Sequence, residues 1–337
     1  MMRPMSHFIP FKMEVFILLL FSYLSSVHFT RVTGECDIKN ITLHVVTWNV
    51  NAERPTCLVK LLGQLEDNDE DLPDMVIVGL QEVTMSLGTA LKNYILGDRW
   101  TASIEDILES NDYVKVESAS LFGMFLNVYV KIQHSWSVAD IDIDHIDTEY
   151  FRYYDNKGGV IMKFRFYGRM FCIVHAHLHG HNKTSRIEDV QEIDKSRTEF
   201  CENPSDYVFF LGDLNFRIRK VDGFKTPNKV HDLIEKKDYT KLLEQDELLY
   251  YQQKNQIFQN FIEQPIKFQP TYKFLLKRNK GIYNLKRRPA WTDRILYKTQ
   301  TNQSIIPISY NIMEDHRKSD HYPVEANFVI VVNTSKF

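Results

Sequence analysis

The segment Tyr207-Val208-Phe209-Phe210-Leu211-Gly212-Asp213-Leu214-Asn215 decides the fold of this chain. Its first five residues are apolar or aromatic, which predicts a strand that is buried in a sheet. Asp213 and Asn215 follow where that strand ends. Because side chains at the ends of neighbouring strands can converge on one edge, the segment predicts both a buried sheet and a polar site at its rim.

Similar apolar runs recur along the chain, and each is bounded by polar residues. They predict strands over residues 41–48, 75–80, 125–132, 159–166, 170–175, 207–211, 294–297 and 324–332. Helical patterns cover residues 56–65, 185–200, 229–236 and 241–251. Because most strands follow one another without a crossover helix, the pattern favours an α+β fold of antiparallel sheets, packed face to face and covered by helices.

Polar residues also stand at the ends of other predicted strands. They are Asn49, Glu82, His175, His177 and, directly before the last strand, Asp320 and His321. Carboxylate and amide oxygens suit Mg²⁺, which neutralises a phosphate while an aspartate activates water. A catalytic histidine needs a carboxylate beside it, and Asp293 is the candidate. The set predicts metal-dependent hydrolysis of a phosphoester.

The composition is that of an ordinary soluble globular protein, with 44% hydrophobic and 25% charged residues. No repeat, linker or low-complexity segment divides the chain, so we expect one large, monomeric domain over residues 35–337. The net charge is -3, from 41 basic and 44 acidic residues. This balance does not favour a nucleic-acid partner, whose phosphate backbone selects a broadly basic surface.

The first 34 residues have the layout of a secretory signal peptide. Arg3 and Lys12 precede the apolar run 15–21, and small or compact side chains precede Glu35, where we expect cleavage. Cleavage near residue 25 is the alternative. A membrane anchor is the competing interpretation, but the run is shorter than the roughly 20 residues that span a bilayer. We therefore expect a secreted protein.

Sequons and cysteines fit an extracellular route. The Asn-X-Ser/Thr sequons begin at Asn40, Asn182, Asn302 and Asn333. The cysteines are Cys36, Cys57, Cys172 and Cys201, which permit two disulfides in three connectivities. Because Cys172 stands within an apolar run, we expect it to serve as a small buried apolar residue.

Seven motifs within residues 40–332 resemble those of the inositol polyphosphate 5-phosphatases. The two longest are Phe210-Leu211-Gly212-Asp213-Leu214-Asn215-Phe216-Arg217 and Arg288-Pro289-Ala290-Trp291-Thr292-Asp293-Arg294-Ile295-Leu296. The others are Thr47-Trp48-Asn49-Val50-Asn51, Gly79-Leu80-Gln81-Glu82-Val83, Asn156-Lys157-Gly158-Gly159-Val160, Pro270-Thr271-Tyr272-Lys273-Phe274 and Ser319-Asp320-His321. Their shared chain order makes the resemblance specific.

The resemblance implies the four-layer αββα sandwich of the endonuclease/exonuclease/phosphatase fold, with two mixed sheets. It implies Mg²⁺-dependent removal of the 5-phosphate from phosphoinositides, such as phosphatidylinositol 4,5-bisphosphate and 3,4,5-trisphosphate, or from soluble inositol polyphosphates. The implied metal ligands are Glu82, Asn49 and Asp320. The implied catalytic residues are Asp213, Asn215, His321, Asp293 and His177. The implied substrate-binding residues are Tyr272, Lys273, Arg287 and Lys157.

The same resemblance implies a role for several of these residues. Asp213 orients or deprotonates the attacking water, and His321, held by Asp293, stabilises the pentacovalent phosphate. Tyr272 and Lys273 bind the neighbouring 4-phosphate together with one residue of the basic run 286–288, whose register stays open.

The sequence departs from the family at Ala176-His177-Leu178-His179-Gly180-His181. Together with His175, the histidines alternate, which suggests zinc. Alternation on an extended strand spaces four imidazoles too far apart to share one tetrahedral ion. We expect them to face solvent or phosphate.

Two other functions remain alternatives on this fold. A haem protein that carries nitric oxide is one, but residues 88–93, where its cysteine is expected, contain no cysteine. A metal-dependent nuclease is the other. The stretch 273–298 holds nine Lys or Arg residues and one acidic residue. We assign it to a pocket for several phosphates and to contact with an anionic membrane surface.

Overall fold

The computed structural model describes residues 38–56, 58–63, 72–83, 99–148, 157–201, 205–222, 226–276, 281–300 and 305–333. The predicted signal peptide, Cys36, Cys57, residues 88–93 and Asn302 lie outside them. The described residues belong to one compact unit, Ile38–Phe337. Within this part of the chain, no helix is long and apolar enough to cross a membrane.

Two six-stranded sheets form the centre of the molecule. Their strands are β1 Ile38–Asn49, β2 Met75–Gln81, β3 Tyr113–Leu121, β4 Met124–Lys131, β5 Val138–Asp147, β6 Gly158–Phe166, β7 Arg169–His177, β8 Tyr207–Asp213, β9 Ile262–Glu263, β10 Asp293–Thr299, β11 Ile305–Ile312 and β12 Val324–Asn333. The first sheet has the order β11-β12-β1-β2-β4-β3, and the second has the order β5-β6-β7-β8-β10-β9. The pairs β1–β2 and β7–β8 are parallel, so both sheets are mixed.

Helices cover the outer faces of both sheets, and two of them, α4 and α5, pack against the core between the sheets. They are α1 Leu58–Leu61, α2 Arg99–Glu109, α3 Lys183–Phe200, α4 Pro227–Glu235, α5 Tyr239–Leu243 and α6 Glu247–Gln253, with a 3₁₀ helix at Ile132–Ser137. Ile104 of α2 packs in one cluster with Val46 and Val78 of the first sheet. Ile193 of α3 packs in another with Val174 of the second sheet.

The largest core lies between the two sheets. Val45 and Ile77 of the first sheet share it with Ile173 and Phe209 of the second. Because successive strand residues point to opposite faces, Val45 faces the other sheet while its neighbour Val46 faces the helices. Strands that are buried on both faces explain the continuous apolar runs of the sequence. The predicted α+β, four-layer αββα sandwich is confirmed.

Several elements differ from the prediction. The strands β3, β5, β9 and β11 and the helix α2 were not predicted. The strands give no apolar run, because they alternate, are mainly exposed or have only two residues. The predicted helix over 241–251 is two helices, since Asp246 caps α6 by accepting a hydrogen bond from the Leu249 N–H at 3.1 Å. Of the predicted helix over 56–65, the described part contains only Leu58–Leu61.

The expectation for Cys172 is wrong. Its sulfur is bonded to that of Cys201, and the two Cα atoms are 6.0 Å apart. Cys172 points from β7 toward the helical layer, and Cys201 directly follows α3 as its C-cap residue. The disulfide therefore joins the second sheet to its covering helix, within a cluster where both residues are buried.

Candidate active site

The first sheet presents polar residues from three chain segments at one edge. Asn49 ends β1 and lies opposite Gln81 of the parallel strand β2, so Glu82 follows at the same edge. β12 runs antiparallel to β1 and begins at Val324, opposite Thr47. Its start is therefore at this edge too, directly after Ser319-Asp320-His321.

The second sheet contributes the facing residues. His177 ends β7 and lies opposite Asp213, which ends the parallel strand β8. β10 runs antiparallel to β8 and begins at Asp293, which also lies opposite Asp213. Strand direction alone thus brings residues far apart in sequence to one rim between the sheets.

Asp213 is the centre of this rim and is buried. Its Oδ2 accepts a hydrogen bond from Asn49 Nδ2 at 3.0 Å, and its Oδ1 accepts one from the Asn215 N–H at 3.1 Å. The Nε2 atoms of two histidines approach the same Oδ2, His177 at 3.5 Å and His321 at 3.9 Å. Burial disfavours the ionised carboxylate, but the positive charges of His321 and Lys157 oppose this effect, and the pKa of Asp213 lies well below its usual range.

His321 is held on its other side by Asp293. The two residues are both buried, and His321 Nδ1 donates to Asp293 Oδ2 at 2.9 Å. The hydroxyls of Thr271 and Thr292 donate to the same oxygen at 2.6 and 2.8 Å. Burial by itself lowers the pKa of His321, yet the negative charges of Asp293 and Asp213 raise it to about 10. His321 is therefore an imidazolium at neutral pH.

His177 has the opposite electrostatics. Burial lowers its pKa, and the positive charge of Lys157 lowers it further, against the smaller effects of Asp213 and Glu82. Lys157 Nζ lies 2.6 Å from His177 Nε2, so we assign this nitrogen as the acceptor of a hydrogen bond from the ammonium. Glu82 Oε1 lies 3.8 Å from the same nitrogen. His177 is therefore a neutral imidazole at neutral pH.

Tyr272 and Lys273 flank the imidazolium. The rings of Tyr272 and His321 have centroids 4.4 Å apart, and Lys273 donates a hydrogen bond to the carboxylate of Asp320. Burial lowers the pKa of Lys273, but this ion pair outweighs it and raises the pKa. The resemblance assigned Asp320 to the metal and Lys273 to the 4-phosphate. In this structure the two side chains form an ion pair with each other.

The three residues of the basic run 286–288 differ in how far they are exposed to solvent. Lys286 and Arg287 are exposed, whereas Arg288 is half-buried. Burial lowers the pKa of Arg288, Glu247 raises it, and the charge of Arg217 lowers it again, so Arg288 lies among the groups beside the site. Arg217 itself stacks on Tyr272, with 4.6 Å from its guanidinium carbon to the ring centroid. Arg288 is thus more closely tied to the site than the predicted Arg287.

The four alternating histidines have separate environments. His175 is fully buried and its Nε2 lies 2.6 Å from Gln81 Nε2, so the expectation that it faces solvent or phosphate is wrong. Burial lowers the pKa of His175 to about 3. His179 Nδ1 bonds to Asp189 at 2.7 Å, and His181 is exposed. These separate partners agree with the rejection of a shared zinc ion.

Sequence reasoning missed the residues that support the site. Thr271 and Thr292 bind Asp293, and Arg217 donates to the Asn215 side-chain oxygen. Ser319 donates to the Asn49 carbonyl at 2.6 Å. All four stand inside the quoted motifs, so motif membership was the available signal, but their contacts run between motifs distant in sequence.

The residues present fit a hard divalent cation. Asp213, Asp293 and His321 have ligand atoms within 4.8 Å of one another. His321 is charged and therefore offers no lone pair to a metal, and Asp293 Oδ2 is already engaged by His321, Thr271 and Thr292. Glu82 and Asn49 offer oxygens of the kind that Mg²⁺ prefers, next to Asp213. This donor set is the better candidate metal site.

Comparisons with known proteins find relatives among the inositol polyphosphate 5-phosphatases. Mouse inositol polyphosphate 5-phosphatase K is 33% identical over 318 residues, which cover 87% of this chain and 66% of the mouse protein. The chain thus spans about two thirds of that relative. The crystal structure of the inositol polyphosphate 5-phosphatase domain of SPsynaptojanin, with inositol (1,4)-bisphosphate and a calcium ion, matches with a TM-score of 0.75 and 26% identity. The matched region covers 95% of this chain and 91% of the SPsynaptojanin domain.

A relative with a different name is also similar. Nitrophorin Cim l NP of Cimex lectularius is 29% identical over 307 residues, which cover 87% of this chain and 91% of the nitrophorin. The model of the endonuclease/exonuclease/phosphatase family 2 matches residues 46–327, which is most of the chain. The chain therefore belongs to the endonuclease/exonuclease/phosphatase family 2.

Proposed function

We propose that this protein is a Mg²⁺-dependent phosphatase that removes the 5-phosphate from phosphoinositides or soluble inositol polyphosphates. One observation carries the proposal: a buried, anionic Asp213 lies between a charged His321 and a neutral His177. Hydrolysis of a phosphoester needs an oriented water and positive charge on the phosphoryl oxygens, and this arrangement offers both. The 5-phosphatase relatives support the choice of substrate.

Asp213 orients the attacking water in this proposal. A carboxylate whose pKa is far below its usual range accepts a proton poorly, so it holds a water better than it deprotonates one. Its hydrogen bonds from Asn49 and the Asn215 N–H fix its direction. Of the two roles that the sequence left open, orientation is favoured.

His321 and Lys157 supply positive charge. The Nε2–H of His321 points toward Asp213 and is available to a phosphoryl oxygen, while Asp293 keeps the ring charged and fixed. His177 accepts a hydrogen bond from Lys157, so the lysine is the donor closest to the phosphate on that side. His177 therefore holds the Lys157 ammonium in place until a phosphoryl oxygen of the substrate accepts the hydrogen bond instead.

Glu82 and Asn49 would hold Mg²⁺, with Asp320 near it. When bound, the ion supplies charge neutralisation and a lower pKa for the attacking water. The calcium ion of the SPsynaptojanin complex supports a divalent cation at this type of site.

A panel of phosphoinositides and inositol phosphates tests the function. We expect Mg²⁺-dependent release of phosphate from the 5-position, no turnover in EDTA, and recovery when Mg²⁺ is returned. Glu82→Gln should raise the Mg²⁺ concentration that gives half-maximal activity. Full activity in EDTA, or release from another position only, contradicts the proposal.

Lys273 makes the substrate class testable. A charge-assisted hydrogen bond to a 4-phosphate contributes about 1.5 to 3 kcal/mol, so Lys273→Ala should lower kcat/KM about tenfold to hundredfold on a 4,5-bisphosphate. The loss should be much smaller on a substrate without the 4-phosphate. Lys241→Ala, an exposed lysine on α5, is the matched control. Equal loss on both substrates would mean that Lys273 serves the fold or the reacting phosphate.

Secretion belongs to the same proposal, on the grounds of the apolar N-terminal run and the sequons. Asn40 and Asn182 are exposed, so both are accessible to glycosylation. N-terminal sequencing of secreted protein should begin near Glu35, whereas an intact Met1 in a membrane fraction would contradict this.

Haem binding is the second candidate, because the Cimex nitrophorin covers most of the chain. A Soret band in the purified protein, with no phosphatase activity, would favour it. We expect no such band.

A further inference from the structure

Two loops at one corner of the site are joined by a single buried arginine. Arg186, in the first turn of α3, is 2% exposed. One of its terminal nitrogens donates to the His179 carbonyl at 2.7 Å, and the other donates to Glu247 Oε2 at 2.7 Å. We propose that Arg186 is a positioning residue for hydrolysis: by holding together the two loops that contact Asn215, it fixes the direction of that side chain.

The Asn215 amide is held at both of its ends. Nδ2 donates to the Leu178 carbonyl at 3.0 Å, and Oδ1 accepts from the Arg217 guanidinium. Because a guanidinium can only donate, the opposite orientation of the amide would place two donors against each other. Among the described residues, only one Nδ2 hydrogen has a partner. The second hydrogen points where these contacts direct it, and it is the one available to the attacking water or to a phosphoryl oxygen.

The first loop follows β7 and is tied to α3 through His179. Arg186 binds the carbonyl of His179, and Asp189 Oδ2 accepts a hydrogen bond from its N–H at 3.0 Å. That N–H belongs to the same peptide unit as the Leu178 carbonyl. Because the peptide unit is planar, fixing one group fixes the other. Contacts from α3 therefore set the position of the acceptor that binds Asn215 Nδ2.

The second loop follows β8 and is tied to α6 through Glu247. The Arg217 N–H donates to Glu247 Oε2 at 3.1 Å, and the Glu247 N–H donates to the Arg217 carbonyl at 2.9 Å. Arg186 binds the same oxygen of Glu247. Glu247 thus holds the backbone from which the Arg217 side chain reaches Asn215. Arg186 sets the separation between this loop and the first one.

Stability alone does not explain a guanidinium at this position. Taking two charges out of water largely offsets their attraction, so a buried ion pair adds little net stability. Burial lowers the pKa of Arg186 although the charge of Glu247 opposes this effect. The planar fork of arginine holds two acceptors at a fixed separation, which an ammonium on a flexible chain does not do. The geometry of the fork is therefore what the site uses.

The inference rests on the proposed function for its effect on rate, but its first measurement does not need catalysis. Protein labelled with ¹⁵N at asparagine gives the Asn215 side-chain amide signals in NMR spectra, and their loss in Asn215→Ala assigns them. In Arg186→Lys, we expect these signals to shift and their hydrogens to exchange faster with solvent. The lysine keeps the charge but does not bind both acceptors, so the variant should still fold.

Steady-state kinetics measures the consequence for the reaction. We expect Arg186→Lys to lower kcat about tenfold to hundredfold with little change in KM, because displacement of a positioned group by about 1 Å costs on this scale. In the Asn215→Ala background, the same substitution should change kcat by less than about twofold. Such non-additivity is expected only if Arg186 acts through Asn215.

Arg197→Lys is the matched control. Arg197 lies on the same helix, is 5% exposed, and donates from Nε to Asp194 Oδ1 at 2.7 Å. It stands in the last turn of α3, about three turns from Arg186. The control should fold, leave the Asn215 signals in place and keep the wild-type kcat.

The outcomes separate the two proposals. Unchanged Asn215 signals in Arg186→Lys, or an equal shift in Arg197→Lys, overturn the inference. So does an equal loss of kcat with and without Asn215, since Arg186 would then act by another route. Wild-type kcat in Arg186→Lys despite shifted signals overturns it as well. The expected signal changes in a protein that hydrolyses no phosphoinositide or inositol phosphate overturn the proposed function alone.

Discussion

Two histidines face the same carboxylate of Asp213 and are opposite in charge. On the side of β10 and the start of β12, His321 is paired with Asp293, and its pKa is raised to about 10. On the side of β7, His177 is buried beside Lys157, and its pKa is lowered. Both rings are nearly inaccessible to solvent, so burial is not the difference. The sign of the nearest neighbour's charge decides which imidazole is charged.

Removal of the shared carboxylate should have the largest effect. Asp213→Asn keeps the shape of the side chain but removes the charge that orients water and stabilises His321. We expect turnover to fall by at least about a hundredfold, with folding preserved. Steady-state kinetics and thermal unfolding of the variant check this. Activity within a few fold of wild type would falsify the central role of Asp213.

Asp293→Asn tests the His321 side of this comparison, where Asp293 keeps the imidazole charged. The hydroxyls of Thr271 and Thr292 keep an acceptor, but His321 loses the charge that raises its pKa. We expect kcat to fall about tenfold to hundredfold at about pH 8, with a smaller loss at lower pH, where the ring is still protonated. The imidazole titration followed by NMR, together with the pH profile of kcat, measures this. An unchanged His321 titration would contradict our account.

The same variant should change stability in a pH-dependent way. The pKa of His321 is higher in the folded protein than its ordinary value of 6.5, so its stabilisation is fully present below about pH 6.5 and is lost as pH rises through about 10. The free energy of unfolding of the wild type should therefore decline across this interval more steeply than that of Asp293→Asn. Denaturant titrations at several pH values provide the measurement.

Lys157→Gln tests the His177 side, and of these variants it should have the smallest effect on activity. Without the ammonium, the pKa of His177 should rise toward its ordinary value, while that of His321 stays high and serves as the control in the same spectrum. We expect kcat/KM to fall by about tenfold or less, since one of several cations is lost. If the His177 titration does not move, Lys157 is not the cause of its low pKa.

Parts of the site were predictable from the sequence because they depend on strand ends. Asn49, Glu82, Asp213 and His177 follow apolar runs, and β-strands in parallel pairs end at the same edge. The pairing of Asp293 with His321 could also be anticipated, since an imidazolium needs a carboxylate. The metal roles of Glu82, Asn49 and Asp320 stay predictions.

Other features required the folded chain. The bond between Cys172 and Cys201 was not predicted, because the two residues are 29 positions apart in sequence and the whole of α3 lies between them. Arg288 is half-buried and its pKa is lowered by the charge of Arg217, whereas Arg287 is exposed, and this difference depends on the path of the loop. The low pKa of His177 depends on its burial and on Lys157, which is 20 residues away in sequence.

The sequence by itself determined the four-layer α+β sandwich and the edge at which its polar residues meet. Side-chain alternation and apolar runs are local properties, and they dictate which faces are buried. The protonation of the two histidines, the disulfide and the half-buried position of Arg288 were decided only by the tertiary structure. Electrostatic shifts and exposure depend on distances between residues remote in sequence, and only the folded chain sets those distances.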